Sequence, residues 1–106
     1  MHARVTMIEI DTLQTSTADA VALFEREVFP GLRHQEGYRG IYVLATPEGK
    51  GVLISLWDTE EQAEANAASG FYAETLARYV TLFASPPGRE RYQVAFVDLP
   101  AAEARR

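Results

Sequence analysis

Three segments of the sequence combine strand-forming residues with apolar side chains on both faces. They are Ile41–Ala45, Val52–Trp57 and Tyr92–Val97. Successive strand residues point to opposite sides of a sheet, so a sheet with one face in water alternates apolar and polar residues. These segments mostly do not alternate. A chain of 106 residues has room for two or three helices, which can cover one face, so we expect a second copy of the protein to cover the other.

The composition fits one globular domain with a modest core, since 47% of the residues are hydrophobic and 24% are charged. The formal net charge of -5 argues against a broad electrostatic contact with nucleic acid or an anionic membrane. No apolar run approaches the roughly 18 residues of a membrane-spanning helix. The absence of cysteine removes disulfides and thiolate chemistry and fits a cytoplasmic location.

A strand and a helix are predicted first along the chain. β-Branched residues indicate a strand over Arg4–Ile10, and Ser16–Asp19 can cap the helix that follows. Apolar residues then recur at helical spacing, at Val21, Phe24, Val28 and Leu32. Pro30 falls inside this pattern. Because proline lacks an amide proton and disfavours helical geometry in the residue before it, we expect a kink or a restart near Phe29.

A hairpin follows in the middle of the chain. Strands are predicted over Gly40–Thr46 and Val52–Trp57, with the turn Pro47–Gly51 between them. Thr59 and Gln62 then form a capping box for a second helix.

Helical spacing continues beyond the alanine-rich part of this second helix. The apolar residues that carry it are Tyr72, Leu76, Tyr79 and Phe83. A last strand is predicted over Glu90–Asp98. The resulting order of strand, helix, strand, strand, helix, strand is the α+β, ferredoxin-like βαββαβ arrangement, with one four-stranded antiparallel sheet and helices on one face. We assign residues 3–98 to this domain and residues 99–106 to a C-terminal tail.

Three motifs resemble a known family. They are Phe29-Pro30-Gly31-Leu32-Arg33, Glu36-Gly37-Tyr38-Arg39-Gly40 and the hairpin end Ser55–Ala63. In these motifs, and over nearly all of residues 3–98, the sequence resembles the antibiotic biosynthesis monooxygenase domain family. The resemblance implies a dimeric α+β barrel, in which two ferredoxin-like sheets pack face to face with the helices outside. It therefore implies a homodimer formed through the sheet face.

The resemblance also implies two activities, which are cofactor-independent oxygenation and oxidative haem degradation. Haem-degrading members carry a tryptophan and a histidine where this chain has, at approximate positions, Asn66 and Leu76, so haem degradation is not expected. The polyketide-oxygenating branch places asparagine, tryptophan and tyrosine around a pocket between helix and sheet. Asn66 and Tyr72 match part of that set, but a second tryptophan is missing. The resemblance thus predicts oxygenation of a hydrophobic phenolic, anthrone or quinol-like molecule.

Oxygenation without a cofactor needs a dry pocket, a proton acceptor and donors to an oxyanion. Asn66 is a candidate because asparagine is a poor helix former within an alanine-rich helix. Tyr72 is a second candidate, and His34, with an ordinary pKa near 6.5, is a candidate base. The candidates for substrate binding are Trp57, Tyr79 and Phe24. Each also has a structural explanation, with the aromatic residues filling the core and His34 lying on the surface.

The sequence contains no motif for metal binding, phosphate binding or serine hydrolysis. Two histidines 32 positions apart make no metal-ligand pattern, Gly49–Gly51 lacks the spacing of a phosphate-binding loop, and no serine lies in a nucleophile elbow. We expect no metal and no other cofactor. The rival hypothesis is a non-catalytic homodimeric barrel that binds a small molecule or responds to stress.

Overall fold

The computed structural model describes residues 1–67, 74, 82–84 and 88–100. Its four antiparallel strands are β1 (His2–Glu9), β2 (Tyr38–Ala45), β3 (Lys50–Trp57) and β4 (Gly88–Gln93). They lie in the order β2-β3-β1-β4, which places the first and third strands in the centre of the sheet. The predicted ferredoxin-like α+β fold is confirmed.

The first helical region consists of three consecutive pieces. They are α1 (Thr17–Leu23), a π-helical turn (Phe24–Val28) and α2 (Phe29–Leu32). Ser16 caps α1 as predicted, because its Oγ accepts a hydrogen bond of 3.0 Å from the Asp19 amide. Pro30 has no amide proton to give to the carbonyl four residues earlier. The amide of Phe29, the residue before this proline, donates to the carbonyl of Phe24, and this bond closes the π-helical turn. The α-helix then begins again at Phe29, as predicted.

The second helical region begins with α3 (Glu60–Ala67). The Thr59 hydroxyl accepts a hydrogen bond of 3.1 Å from the Gln62 amide, which confirms one half of the capping box. The predicted continuation through Tyr72, Leu76 and Tyr79 lies outside the described residues. Phe83, predicted on the same helical stripe, instead forms an isolated β-bridge with Ile10. No helix among the described residues has the length and hydropathy needed to cross a membrane.

The last strand is shorter than the sequence predicts. β4 lies at the edge of the sheet, where its neighbour among the described strands is β1, and Gln93 pairs with His2 at the start of that strand. The Val94 amide still donates to the Met1 carbonyl at 3.0 Å, but the paired register of the two strands ends at His2 and Gln93. The predicted last strand, Glu90–Asp98, is therefore wrong after Gln93, and Phe96 is 86% exposed.

The inner face of the sheet packs against the helices. A buried cluster of Leu32, Trp57 and Ala63 joins the two layers, with Phe24, Tyr38 and Ile41 packed around it. Because directly paired residues of antiparallel strands point to the same side, the register places Arg4 and Ser55 together on the inner face.

The outer face is apolar as well. Its side chains come from β1, β2 and β3 and include Val5, Met7, Tyr42, Leu44, Val52, Ile54 and Leu56. In the part of the chain that the structure describes, no helix covers this face, and Tyr42 and Leu44 are each 51% exposed. The sequence prediction that β2 and β3 are apolar on both faces is confirmed.

Candidate functional site

A cavity of about 160 Å³ lies between the inner face of the sheet and the first helical region. Most of its wall is aliphatic or aromatic, with contributions from Ile8, Val43 and Leu53 of the sheet and from Val21, Phe24 and Val28 of the helices. An apolar interior of this kind lowers the local dielectric, so a charge at its boundary acts more strongly than it would in water. The position of the few polar groups therefore determines what the cavity can bind.

One end of the cavity is polar, because Arg4, Ser55 and Asn66 meet there. Arg4 is only 6% exposed. Its guanidinium donates one hydrogen bond of 2.6 Å to Asn66 Oδ1 and another of 3.2 Å to the Ala63 carbonyl. Hydrogen bonds from a charged donor are about twice as strong as those between neutral groups. The guanidinium is thus fixed between the central strand β1 and helix α3.

Trp57 supports this group from the core. Its side chain is fully buried, with 0% exposure, and its ring centre lies 5.3 Å from the Arg4 guanidinium carbon, within the range of a cation–π contact. The indole N–H donates to Ser55 Oγ at 2.9 Å, and the Ser55 hydroxyl donates to the Arg4 carbonyl at 3.4 Å. Because that N–H is already engaged with Ser55, Trp57 acts on the site through its neighbours.

Arg4 is the charged side chain at the polar end of the cavity. Lys50 also borders the cavity, but the register places it on the outer face of β3, opposite Glu9. Among the described residues that line the cavity, none carries a carboxylate or an imidazole. Arg91, the cross-strand partner of Arg4, is paired with Glu64 of α3. This part of the site therefore favours a ligand with a negatively charged or electron-rich oxygen at the Arg4 end.

Some of the predicted site residues line the cavity and others do not. Asn66 and Phe24 line the cavity, whereas Trp57 is buried next to it. His34 is exposed in the turn after α2 and lies outside the cavity wall. Tyr72 and Tyr79 lie outside the described residues. Within the described ranges, no group of three or more histidine, aspartate or glutamate side chains is placed to hold a metal ion.

Arg4 and Ser55 are the site residues that sequence reasoning missed. A signal for Arg4 was present, because it shares the inner face of β1 with Thr6 and Ile8. A charged residue at a strand position that alternation assigns to the core needs a specific partner. Ser55 carries a similar signal, as a polar residue in the apolar run of β3.

Proteins of known structure share this architecture. No family model matches the sequence, and no curated protein is significantly similar to it. Solved structures do match. The chain is similar to the monooxygenase from the gene ActVA-Orf6 of Streptomyces coelicolor, solved with the ligand nanaomycin D, at 21% identity and a TM-score of 0.76 over 94% of this chain and 92% of that one.

Two further structures agree with this result. SnoaB, a cofactor-independent oxygenase from Streptomyces nogalater, matches at 12% identity and a TM-score of 0.74, over 91% of this chain and 94% of that one. A protein from Nitrosomonas europaea, described as an antibiotic biosynthesis monooxygenase, matches at 16% identity and a TM-score of 0.74, over 91% of this chain and 100% of that one. The protein therefore belongs to the structural class of ferredoxin-like α+β domains. More particularly, the chain has the fold of the antibiotic biosynthesis monooxygenase structures, as its motifs predicted.

Proposed function

We propose that the protein is a cofactor-independent monooxygenase that acts on a hydrophobic phenolic, anthrone or quinol-like molecule. The observation that carries the proposal is the apolar cavity that ends at the buried pair Arg4 and Asn66. Such a cavity can hold an aromatic ring in a dry environment while its polar end contacts the ring's oxygen. The names of two proteins with this fold, a monooxygenase with bound nanaomycin D and a cofactor-independent oxygenase, lend further support.

The reaction requires the substrate anion to reduce oxygen itself. For a naphthol-like substrate, the carbon para to the hydroxyl loses its hydrogen, one atom of O₂ becomes the new carbonyl oxygen, and the other leaves as water. The substrate supplies all four electrons, so the equation balances without an external reductant. The role left to the protein is to exclude water and to stabilise the oxyanion with fixed donors.

The proposed roles follow from position. Arg4 stabilises the substrate oxyanion, and Asn66 holds the Arg4 guanidinium in place and borders the cavity. Phe24 packs against the substrate ring from the helical side. Tyr72 keeps the catalytic role proposed from the sequence, which is to orient or stabilise the substrate anion, and Tyr79 keeps its proposed role as a contact to the substrate.

An oxygen-electrode screen over anthrones, naphthols and quinols tests the proposal. We expect oxygen uptake with at least one member of the panel, and we expect Asn66→Ala to lower that rate by about a hundredfold to a thousandfold, the range for losing one oxyanion donor. Gln14→Ala is the matched control, since it removes an exposed amide side chain that bonds to Asp11. No uptake by well-folded protein across the panel would contradict the proposal. Saturable binding without uptake would favour the non-catalytic small-molecule-binding barrel.

We also infer that two copies of the chain pair through the outer face of the sheet. The support is the apolar character of that face, on which Tyr42 and Leu44 are half exposed although their strand is paired within the sheet. A monomeric soluble protein rarely exposes a contiguous apolar patch of more than a few hundred Å². A second sheet packed on this face would remove these side chains from water.

A further inference from the structure

We propose that Thr6 determines which ligands the cavity accepts, because its hydroxyl offers a second polar contact partway along an otherwise apolar wall. The ligand class that fits both contacts is an aromatic ring with oxygens at opposite ends, as in a 1,4-dihydroxybenzene. This inference rests on the proposed function for the first oxygen, which lies at the polar end of the cavity. It goes beyond that function by assigning the contact for a second oxygen to a named residue.

Thr6 lies on the inner face of the central strand β1, next to the polar end of the cavity. It pairs with Leu53 on β3, and both residues line the cavity. Arg4 and its cross-strand partner Ser55, at the polar end, form the neighbouring pair on the same face. Two residues along a strand span about 6.6 Å. Thr6 is therefore one strand repeat away from the polar end, towards the apolar part of the cavity.

The hydroxyl of Thr6 differs from the other hydroxyls of the described cavity wall. Thr17 donates to the Thr46 carbonyl at 2.8 Å, and Ser55 donates to the Arg4 carbonyl at 3.4 Å. In the part of the chain that the structure describes, the Thr6 side chain has no hydrogen-bond partner. Its hydroxyl is thus available to a ligand.

This hydroxyl also borders open space. Thr6 is half-buried, and its oxygen is not one of the described side-chain atoms that are shut off from that space without a partner. Because Thr6 faces the helices and lines the cavity, the open space beside it is the cavity itself.

An unpaired hydroxyl in an apolar wall favours one kind of ligand. A ligand oxygen beside Thr6 exchanges a hydrogen bond with water for one with the protein, whereas the same oxygen beside an apolar wall would stay unpaired and lose affinity. A threonine hydroxyl can donate or accept, so it suits either a phenolic hydroxyl or a ring carbonyl. A site that hydrogen-bonds an oxygen discriminates strongly against an analogue that lacks it.

The size of the cavity suggests the probes. Apolar cavities of about 150 Å³ take up benzene in other proteins, and this cavity measures about 160 Å³, so ligands with one ring are suitable. Hydroquinone carries two oxygens at opposite ends of its ring. Catechol has the same atoms with its oxygens adjacent, so it cannot contact the polar end and Thr6 at once, and phenol lacks the second oxygen.

The experiment measures the affinity of each probe by isothermal titration calorimetry under argon, which separates binding from reaction with oxygen. We expect the unaltered protein to bind hydroquinone at least about fivefold more tightly than catechol. Thr6→Val removes the hydroxyl but keeps the branched shape. It should lower the affinity for hydroquinone by at least about fivefold, the lower limit for leaving a polar group unpaired, and should change the affinity for phenol by less than about twofold.

Two further variants complete the comparison. Thr6→Ser keeps the hydroxyl and should retain the preference for hydroquinone. Thr12→Val is the matched control, since it removes the hydroxyl of an exposed threonine outside the cavity wall. Urea denaturation verifies folding, and Thr6→Val should be at least as stable as the unaltered protein, because the hydroxyl that it removes has no partner in the described part of the chain.

The comparison of hydroquinone with catechol uses the unaltered protein alone, so it tests the inference even where a variant fails to fold. Equal affinities for these two isomers would overturn the inference, and so would a Thr6→Val protein that keeps the preference or the absence of saturable hydroquinone binding. Oxygen uptake is scored separately. A preference for hydroquinone without uptake of oxygen by any substrate counts against the proposed function alone, and uptake without the preference counts against this inference alone.

Discussion

The guanidinium carbon of Arg4 lies 5.3 Å from the centre of the Trp57 ring. The buried cation of Arg4 thus contacts Trp57, the largest fully buried side chain of the described core. The same tryptophan donates to Ser55, and Ser55 donates to the carbonyl of Arg4. Core packing and the polar end of the cavity are therefore one structural unit. A change in either residue should affect both stability and ligand binding.

Replacing Trp57 should be the most destabilising change of this unit. Truncation of a buried tryptophan to alanine costs about 3–5 kcal/mol, a large part of the roughly 5–15 kcal/mol that stabilises a typical domain. Trp57→Phe keeps an aromatic ring but loses the indole N–H, so we expect a smaller loss of about 1–3 kcal/mol. Urea denaturation followed by circular dichroism measures both losses.

Leu13→Ala is the control for these variants, because Leu13 is 96% exposed and its truncation should change stability by less than about 0.5 kcal/mol. A Trp57→Ala protein as stable as the Leu13→Ala protein would show that the buried indole contributes little.

The fold was predictable because its signals are local. The cap at Ser16 and the interruption at Pro30 each follow from the chemistry of one or a few neighbouring residues. The end of β4 was not predictable in this way. Val94–Val97 has the composition of a strand, but whether it pairs depends on where β1 begins, and the register His2 to Gln93 settles that.

The site was predicted only in part, for a related reason. Asn66 attracted attention as an unfavourable residue in a helix, and it does line the cavity. Arg4 did not, since its role depends on α3 and on Trp57, which lie about sixty and fifty residues away along the chain. A sequence pattern marks a buried charge, but the contact that stabilises it is tertiary.

Asn66→Asp should weaken anion binding while preserving the fold. Asn66 Oδ1 already lies 2.6 Å from the Arg4 guanidinium, so an aspartate of nearly the same shape would place a carboxylate at the polar end of the cavity, where it repels an anionic ligand. We expect the affinity for 4-nitrophenolate to fall by at least about tenfold, which corresponds to about 1.4 kcal/mol. Absorbance titration measures the affinity, and circular dichroism verifies folding.

Asn66→Ser is the neutral comparison for this variant, and it should lose less phenolate affinity than Asn66→Asp. Equal affinities for the two variants would mean that the charge at this position does not control binding.

Gly37→Ala should destabilise the turn before β2. Gly37 has a φ of 82°, a left-handed conformation that costs an L-residue about 1–2 kcal/mol. An added Cβ would also lie 2.8 Å from Cβ of Gln62 and closer still to the end of that side chain. We expect a loss of about 1–3 kcal/mol in thermal or urea denaturation.

Gly88→Ala provides the comparison, because the atom of the described residues that its Cβ would meet is Met7 Cε, at an ordinary 3.6 Å. Its effect should stay within about 0.5 kcal/mol. Similar losses at both glycines would argue against backbone strain at Gly37.

Tyr38 should make the protein sensitive to alkali. Burial raises the pKa of the Tyr38 hydroxyl, and the charge of Arg33 partly opposes that shift. Because the neutral hydroxyl is favoured in the folded state, its contribution to stability is present below about pH 10 and is lost as the pH rises through the raised pKa. Tyr38→Phe should therefore lose less stability than the unaltered protein between about pH 9 and about pH 11.

Urea midpoints measured across that range test the effect. Leu13→Ala, at a 96% exposed position that carries no ionisable group, is the control and should follow the unaltered protein. A Tyr38→Phe protein with the same loss of stability in alkali would assign the sensitivity to another group.

The outer face of the sheet should hold two copies of the chain together. Ile54 lies at its centre, paired with Val5 on β1 and Tyr42 on β2, so a lysine there would place a charge in the middle of an apolar contact, where burial without a partner is costly. Light scattering of the unaltered protein should give twice the chain mass of 11.8 kDa, and Ile54→Lys should shift the mass towards a single chain. Leu13→Lys adds the same charge at an exposed apolar position away from the sheet and should leave the dimer intact. A single-chain mass for the unaltered protein would mean that the apolar outer face is not an interface between copies.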